Sequence, residues 1–213
     1  AGGDIIITEG AMGKMNEEDC KLIAKGSVFV QHGQGLDIQA GKNLNVRKQL
    51  AYSRVNCKGK VTIGEPDKPM GSLFASSIQC GSTITAGTVG AVSGSALNVD
   101  YSESWNQLNS RYDSLLVLLK QLRENSFDHK VKLRDIQSKK VPSTLANNVS
   151  KIEALIESEK HLLDWLEITE QELTQTKNDF EKNAKIVANK ELFPGVAVKM
   201  NKNNWRSEKE YLK

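Results

Sequence analysis

The chain has 213 residues, a formal net charge of +3 and a mean hydropathy of −0.44, which fit one large or two modest domains. The last sixteen residues alone carry +3, so the rest is near neutral and does not indicate a nucleic-acid-binding protein. No apolar run approaches the roughly 20 residues of a membrane span, so no integral membrane segment is predicted. Because the chain opens on Ala1 without a methionine, we expect it to be part of a longer protein.

A seven-residue phrase recurs along the first hundred residues. Each copy has a small residue, a turn pair, a polar residue and then two apolar residues separated by one other. The copies begin at Ala1, Ala24, Ala40, Cys57 and Cys80. The apolar alternation predicts a short strand with one buried face, and the Gly and Lys of the turn pair predict a tight bend that favours positive φ. Offsets of 16 and 17 residues fit one coil of a β-solenoid, and offsets of 23 fit a coil with a bulging loop. We therefore predict that residues 1–100 form stacked coils with the small residues in one column.

The cysteines and histidines do not form a pattern typical of a disulfide framework or a metal site. Cys57 and Cys80 hold the small-residue position of the phrase, so we expect free buried thiols that act as small apolar side chains. A metal site would need His or Cys at ligand spacing, whereas the histidines are scattered at His32, His129 and His161. We predict no catalytic residue, no metal and no cofactor, and the sequence assigns no partner-binding residue.

Loops are expected to leave the coils at residues 10–19, around His32–Gly35 and at residues 64–71, where Pro66 and Pro69 lie. The glycines at 33 and 35 do not form a phosphate-binding loop, because no helix start and no Gly-Lys-Ser/Thr follow them. The small residues of Ala86–Ser95 are interpreted as a last, tightly turned coil.

At Tyr101 the pattern changes to a heptad. Apolar residues recur at alternating steps of four and three from Leu108 to Ile136, and again from Leu145 to Val187. Between the two runs Pro142 predicts a helix end, and Ser143 or Thr144 suits the N-cap of a second helix. Two such seams joined by a short loop predict an antiparallel coiled-coil hairpin inserted into the β domain.

A hairpin tip between Lys140 and Val141 fixes which seam residues face each other. Tyr112 is then expected to hydrogen-bond Glu170, and His129 is expected to be a partly exposed spacer. The second seam is expected to run on as helix through Val187 and to pack on the β-helix flank through Phe180, Ala184 and Val187. The predicted pairs are Ile136 with Leu145, Leu133 with Val149, His129 with Ile152, Ser126 with Ile156, Leu122 with Glu159, Leu119 with Leu163, Leu115 with Leu166, Tyr112 with Glu170, and Leu108 with Leu173.

After Leu192 the strand pattern returns. Phe193-Pro194-Gly195 is typical of a turn, and Val196–Met200 alternates like a strand. We therefore predict a β-helix over 1–100, an inserted hairpin over 101–191, and strands over 192–213 that return to the β-helix.

The order of these parts resembles the C-terminal portion of the flagellar assembly protein A family of bacteria. That family has repeated small-Gly-Gly-Asp-Val-x-Val phrases, a coil rich in Gly, Ala and Ser, a long coiled-coil hairpin and a Phe/Tyr-Pro-Gly-Val strand. Residues 1–7, 71–99, 102–190 and 193–198 fill these parts in order, whereas Lys42 and Lys58 stand where Gly is usual. The resemblance implies a single-stranded right-handed β-helix and a non-catalytic role in flagellar assembly or placement, with no catalytic motif to carry over.

Three functions are weighed against the sequence: a scaffold, a division-site regulator and an enzyme. The first is a cytoplasmic scaffold, recruited to a cell pole, that binds other bacterial proteins through the β-helix and the hairpin; self-association into a homo-oligomer stays open. The second is a MinC-like division-site or polarity regulator, against which the long hairpin argues. The third is a β-helix enzyme, either an acyltransferase using His32 or a polysaccharide-cleaving enzyme using clustered carboxylates. The candidate carboxylates are Asp4, Glu9, Glu17, Glu18, Asp19, Asp37, Glu65 and Asp67. Because they fall mostly in loops or turns, we expect no enzyme.

Overall fold

The computed structural model describes residues 1–14, 20–138 and 146–212. It divides into a solenoid unit, Ala1–Gln107 with Asp179–Lys213, and a helical unit, Leu108–Asn178. Within the described residues the elements are β1 Ile5–Met12, β2 Lys21–Ala24, β3 Val28–Gln34, β4 Asp37–Ala40, β5 Leu44–Ala51, β6 Arg54–Cys57, β7 Val61–Ile63, β8 Ser72–Phe74, β9 Ser77–Cys80, β10 Ile84–Val89, β11 Leu97–Asp100, α1 Ser102–Ser138, α2 Ala146–Asn183, β12 Ile186–Leu192, β13 Val196–Met200, β14 Asn203–Arg206 and β15 Tyr211–Leu212.

Successive strands alternate between two sheets, as the coils of a β-solenoid require, except that β7 and β8 share one sheet and β13 and β14 share the other. One sheet has the order β1-β3-β5-β7-β10-β12-β15 with β8 beside β5 and β10, and the other has the order β14-β13-β11-β9-β6-β4-β2. Neighbouring strands are parallel, except that β15 and β14 close the two sheets as antiparallel strands on β12 and β13. The prediction of a β-solenoid is confirmed.

The small residues of the phrase form one column inside the solenoid. Ala24 is in register with Ala40, Ala40 with Cys57, and Cys57 with Cys80, which confirms the predicted column. All four are buried. The inner side chains beside them are branched and aliphatic and are almost completely removed from water, including Leu44, Val46, Val61, Ile63 and Ile84. Burial of each such side chain stabilises the fold by roughly 1.5–3 kcal/mol, so the stacked inner faces are the core of the solenoid unit.

The turn pairs that join the two sheets at the phrase are packed against each other from coil to coil. The amide of Gly41 donates to the carbonyl of Ala24 at 2.9 Å, and that of Gly81 donates to the carbonyl of Cys57 at 2.9 Å. A Cβ atom at either glycine would collide with the carbonyl of a lysine in the preceding turn. The predicted need for positive φ at these glycines is wrong, because their positions are absent from the left-handed residues of the described chain. Glycine is required there by close approach of the neighbouring coil.

The opposite corner of the coils uses one left-handed residue per turn, which the sequence analysis did not find. These residues are Gly35, Tyr52 and Ala75, with φ of 64°, 50° and 49°. In two of these turns a buried serine follows, and the hydroxyl of Ser76 accepts the backbone N–H of Ser53 at 3.1 Å. The serine hydroxyls therefore continue the stacking of the coils where the backbone leaves the sheet.

Two of the three expected loops are wrong in part. Gly10–Met12 continues β1, and His32–Gln34 continues β3 past a register shift after Val30. A shift of this kind lets a strand bend and pair on, so glycines in these places do not break it. Residues 15–19 of the first expected loop lie outside the described residues. The loop at 64–71 is confirmed, because β7 ends at Ile63 and β8 begins at Ser72.

The helices leave and re-enter the solenoid unit at a phrase position. Asp100 is in register with Gln79, so Tyr101 takes the place after Cys80 in the small-residue column. Tyr101 is completely buried, and its hydroxyl donates to the carbonyl of Lys185 at 3.0 Å. Because Ile186 is in register with Ile84, residues 102–184 replace a turn pair that takes two residues in the other coils.

The second helix ends earlier than its heptad pattern predicts. Phe180 packs against the solenoid core, as expected, and stacks on Trp105 with ring centroids 5.7 Å apart. Helix α2 ends at Asn183, however, and Val187 lies in β12, so its prediction as a helical seam residue is wrong. The strand forms because Ile186 is in register with Ile84 and covers the end of the core. Pairing with β10 therefore stabilises this segment as a strand, whereas a continued α2 would have no helix to pack against.

In the helical unit, α1 contacts α2 through a leucine cluster and polar pairs. Leu115, Leu119 and Leu166 are buried together, with Leu122, Leu163 and Leu173 against them. The predicted hydrogen bond from Tyr112 to Glu170 is confirmed at 3.4 Å. Neither helix, as far as the structure describes it, has the length and apolar character that a bilayer crossing requires.

Glu159 corrects the predicted register. It was paired with Leu122, but its Oε1 lies 2.8 Å from Nδ1 of His129, which was paired with Ile152. The Glu159 side chain is only 9 % exposed, and a carboxylate so buried needs a polar partner that leucine cannot supply. His129 is therefore a hydrogen-bonding partner and not a spacer. Residues 139–145, with the expected tip, Pro142, the N-cap and Leu145, lie outside the described residues.

Deletion of the helical unit tests whether the solenoid unit folds without it. Replacing residues 108–178 by a short Gly/Ser linker should preserve the β-sheet signal in circular dichroism, because Trp105, Phe180 and β12 all remain. Extending the deletion to Lys190 removes most of β12, exposes Ile84 and should lower the free energy of unfolding by at least 2 kcal/mol. Equal stability of the two deletions would contradict the role given to β12.

Substitution of His129 tests the buried polar contact. His129→Ala should destabilise the helical unit by roughly 1–3 kcal/mol, because Glu159 is left buried without its hydrogen bond. The measurement is urea unfolding followed at 222 nm. Arg123→Ala is the matched control: its 2.7 Å pair with Glu167 is 57 % and 46 % exposed, so the loss should be within roughly 1 kcal/mol. Similar losses for both variants would argue against a structural role of the buried contact.

Candidate interaction surface

A row of lysines follows the phrase corner of the solenoid unit. Lys25, Lys42 and Lys58 occupy the turn pairs of three successive coils, and Lys60 follows two places after Lys58. Lys185 extends the row beyond Thr83, since its carbonyl accepts the amide of Ile84 at 2.9 Å. All of these lysines are exposed. Adjacent coils are about 4.8 Å apart, so the ammonium groups form a linear basic ridge, which we call the lysine ridge.

The stacking geometry explains why lysine alternates with glycine here. In each of these turn pairs one residue is a glycine that has no room for a side chain, because Gly41 and Gly59 lie under a lysine carbonyl of the preceding turn and Gly26 lies against Asp4. The other residue is an exposed lysine. The solvent position is free to carry a long charged side chain. Among the described residues no lysine of the ridge forms an ion pair. The ridge therefore presents uncompensated positive charge to the surroundings.

In the sequence, Lys42 and Lys58 stand out only as departures from a glycine pattern, and the lysine ridge was not predicted. The lysine moves from the first to the second place of the turn pair between Lys25 and Lys42, and back again at Lys58. Because the lysine changes its place within the turn pair, no single position of the phrase contains lysine in all three copies. The lysine ridge becomes visible only when each turn pair is taken as one unit.

The buried thiols of the column are inert at neutral pH. Burial raises the pKa of Cys57 and raises the pKa of Cys80 to about 12. Each thiol donates to backbone carbonyls: Cys57 Sγ is 3.2 Å from the Lys42 oxygen, and Cys80 Sγ is 3.1 Å from the Ser82 oxygen. Burial also raises the pKa of the Tyr101 phenol, so the column carries no charge. A protonated buried thiol is neither a nucleophile nor a metal ligand.

Among the described residues of the solenoid unit, the single histidine and the carboxylates do not converge. His32 is partly buried on β3, whereas Asp4 accepts the backbone N–H of Ser27 at 2.6 Å and Glu65 pairs with Arg47 at 3.4 Å. Glu17, Glu18 and Asp19 lie outside the described residues. Within the part of the chain that the structure describes, no group of three His, Cys, Asp or Glu residues is arranged to hold a metal ion.

The end of the solenoid unit offers a second, apolar surface. A groove of about 550 Å³ lies over the inner face of β12 and β13. Trp205 and Leu212 border it and remain 48 % and 71 % exposed. The last coil is therefore covered only in part by the two antiparallel closing strands.

The sequence model of the Flagellar Assembly Protein A beta solenoid domain (FapA) matches residues 1–213. Searches of curated proteins and of solved structures found no significant match.

Thiol alkylation tests the buried column. With a pKa of about 12, roughly one Cys80 thiol in ten thousand is ionised at pH 8. Iodoacetamide at pH 8 should therefore modify the partly exposed Cys20 in the native protein and spare Cys57 and Cys80, as read by mass spectrometry after digestion. All three should react in guanidinium chloride, and fast native modification of Cys80 would contradict the burial.

The same shift predicts how stability depends on pH. Between the unfolded value of 9.0 and about 12, the folded chain keeps the Cys80 proton that the unfolded chain loses. The contribution of Cys80 is fully present below pH 9 and is lost as the pH rises towards 12. Replacing Cys80 by Ala should flatten the fall in free energy of unfolding over this window.

Proposed function

Because the chain belongs to the family of the Flagellar Assembly Protein A beta solenoid domain, we propose that it is a non-catalytic scaffold in the assembly or placement of the bacterial flagellum. Its task is to bind other proteins through the solenoid surface and the helical unit. Action in the cytoplasm and recruitment to a cell pole are parts of the same proposal.

The lysine ridge is the observation that carries the proposal. Two lysines 5–10 Å apart in water repel each other by roughly 0.4–0.8 kcal/mol, so a ridge of them is tolerated only while it is solvated or neutralised. A partner with an acidic surface removes this repulsion and gains attraction to several lysines at once. We infer that the partner is a protein with clustered Asp and Glu side chains, because the stacked coils hold the ridge as a fixed template.

The inertness of the chemical groups supports a binding role over catalysis. The described thiols of the column are protonated, and Asp4 and Glu65 are engaged in structural contacts. His32 lies on β3, and among the described residues no thiol or carboxylate forms a hydrogen bond or ion pair with it that would serve as a nucleophile–base pair. The side chains that remain available are those of a binding surface.

We also propose the finer architecture that such a scaffold needs. Parallel strands that return to the same sheet through the other sheet make crossover connections, which are right-handed in about 98 % of known cases, so the coils should wind right-handed. We propose that α1 and α2 form an antiparallel coiled-coil hairpin. Its support is that contacts pass from Tyr112–Glu170 near the start of α1 to Gln137–Glu153 near its end. We propose one β-helix interrupted by this hairpin as the domain organisation.

Charge reversal of the ridge tests the binding role. The full chain is used as bait, and Lys42, Lys58 and Lys60 are changed together to Glu. Loss of at least tenfold in the recovery of one or more flagellar proteins is expected, since an acidic partner then meets like charge. Recovery is measured by quantitative mass spectrometry, and complementation of swarming in a strain that lacks the gene gives the second readout.

The matched control changes three exposed lysines of the helical unit, Lys120, Lys130 and Lys160, to Glu. It has the same change in net charge and should recover the ridge partners as the unmodified chain does. Equal recovery by all three proteins would overturn the role of the ridge. Restored swarming by the ridge variant would likewise show that the ridge is not needed, and recovery of no flagellar protein by the unmodified chain would overturn the scaffold proposal itself.

A further inference from the structure

A second heptad stripe runs beside the leucine seam of the helical unit. On α1 it consists of Ser114, Leu118, Gln121 and Asn125, and on α2 of Leu155, Ser158, Leu162, Trp165 and Thr169. The steps of three and four residues place each set along one face of its helix. All nine side chains lack charge, in helices that are otherwise rich in Lys and Glu. We call the two sets together the uncharged stripe.

The apolar side chains of the uncharged stripe are open to solvent. Leu118 and Trp165 are 54 % and 60 % exposed, and Leu155 and Leu162 are 44 % and 45 % exposed. Leu118 and Trp165 line a shallow groove of about 370 Å³ over the seam leucines. Tryptophan in such a position is the residue type that most often dominates a protein–protein contact.

The three hydroxyl side chains of the stripe are already satisfied by their own helices. Ser114 Oγ donates to the carbonyl of Ser110 at 2.8 Å, Ser158 Oγ to that of Ala154 at 2.9 Å, and Thr169 Oγ1 to that of Trp165 at 2.9 Å. Covering the stripe therefore leaves these hydroxyl donors satisfied, so the desolvation cost of a contact is low. On the other side of the seam, the charged pair of Arg123 and Glu167 would have to be desolvated.

Charge complementarity identifies the occupant. Within residues 108–138, α1 carries six basic and four acidic side chains, whereas α2 carries three basic and seven acidic side chains within residues 146–178. At one end of the stripe Arg111 precedes Ser114 on α1, and Glu172 follows Thr169 on α2. Neither side chain forms an ion pair within the described residues. A second copy turned about a two-fold axis along the helices would set each α1 on the α2 of the other copy.

We propose that the uncharged stripe is a self-association surface, on which two copies of this chain form a four-helix bundle. Leu118 and Trp165 form its centre, and Arg111 of each copy faces Glu172 of the other. The interface is isologous, so this charge pair occurs twice. The proposal does not depend on a flagellar role.

The size of the stripe sets the expected affinity. Leu155 to Thr169 spans about 21 Å at 1.5 Å per residue, and two helices side by side are about 20 Å wide. The patch is therefore about 400 Å² per copy, or about 800 Å² in total, which is the size of a weak, transient interface, and a dissociation constant of roughly 100 micromolar is expected. The full chain should thus be monomeric at high dilution and dimeric at several hundred micromolar.

Sedimentation equilibrium of the full chain over this concentration range tests the proposal. Trp165→Glu places an unpaired charge in the centre of the contact and should raise the dissociation constant at least 100-fold. Phe127→Glu is the matched control, because Phe127 is also an exposed aromatic residue, 66 % exposed, and lies one turn after Arg123 on the charged side of the seam. It should dimerise like the unmodified chain, and circular dichroism verifies that both variants are folded.

Mixing two charge-reversal variants distinguishes a contact between two copies from a contact within one copy. Arg111→Glu and Glu172→Arg each place like charges together twice in a homodimer, so each variant alone should dimerise about tenfold more weakly. Mixed in equal amounts, the two variants form opposite pairs at both places, and dimerisation should return to the level of the unmodified chain. A contact within one copy would not be restored by mixing.

Three results would overturn the proposal. A chain that stays monomeric throughout the range would exclude the second copy and leave the stripe to a helix of another protein. A dimer that Trp165→Glu leaves intact would place the interface elsewhere. Failure of the mixed variants to recover would reject the pairing of α1 with the α2 of the other copy.

Discussion

The close approach of one turn to the next at the phrase corner is the constraint on which the rest of the solenoid unit depends. The carbonyl of Lys25 lies so near Gly41, and that of Lys58 so near Gly81, that any side chain would force the coils apart. With glycine in place the strands hold an in-register stack, and the alternating aliphatic side chains fall in continuous inner columns. A larger residue at one turn would misalign both sheets, since every coil pairs on two edges.

The same constraint creates the basic surface. Because only one residue of each turn pair must be glycine, the other is released from packing and carries a lysine in three successive coils. The rigid core thus dictates where variable charge is displayed and at what spacing. The position and spacing of the lysine ridge are therefore consequences of how the coils stack.

The sequence predicted the features that depend on one repeated residue type and missed those that depend on backbone shape. The column from Ala24 to Cys80 was predictable, because a small side chain recurs at the same place in these four coils. The opposite corner was not, since its left-handed position is filled by Gly35, Tyr52 and Ala75, which share no side-chain property. Val187 fits a heptad and a strand equally well, and only the open edge of β10 decides between them. The partnership of His129 with Glu159 follows from burial, which a seam pattern does not report.

The site where the helices are inserted has a consequence for the order of folding. Ile84 and Ile186 are neighbours in the sheet but are 102 residues apart, whereas Val61 and Ile84, also neighbours, are separated by 23. Closing the longer segment as a flexible loop costs about 1.3 kcal/mol more in conformational entropy. This cost arises before β12 forms any stabilising contact. Early pairing of α1 with α2 would instead bring Trp105 to Phe180 and present β12 beside its place. Pairing of the inserted helices then shortens the effective loop between β10 and β12. The final coil of the solenoid can therefore form by local strand pairing and not by a long-range search.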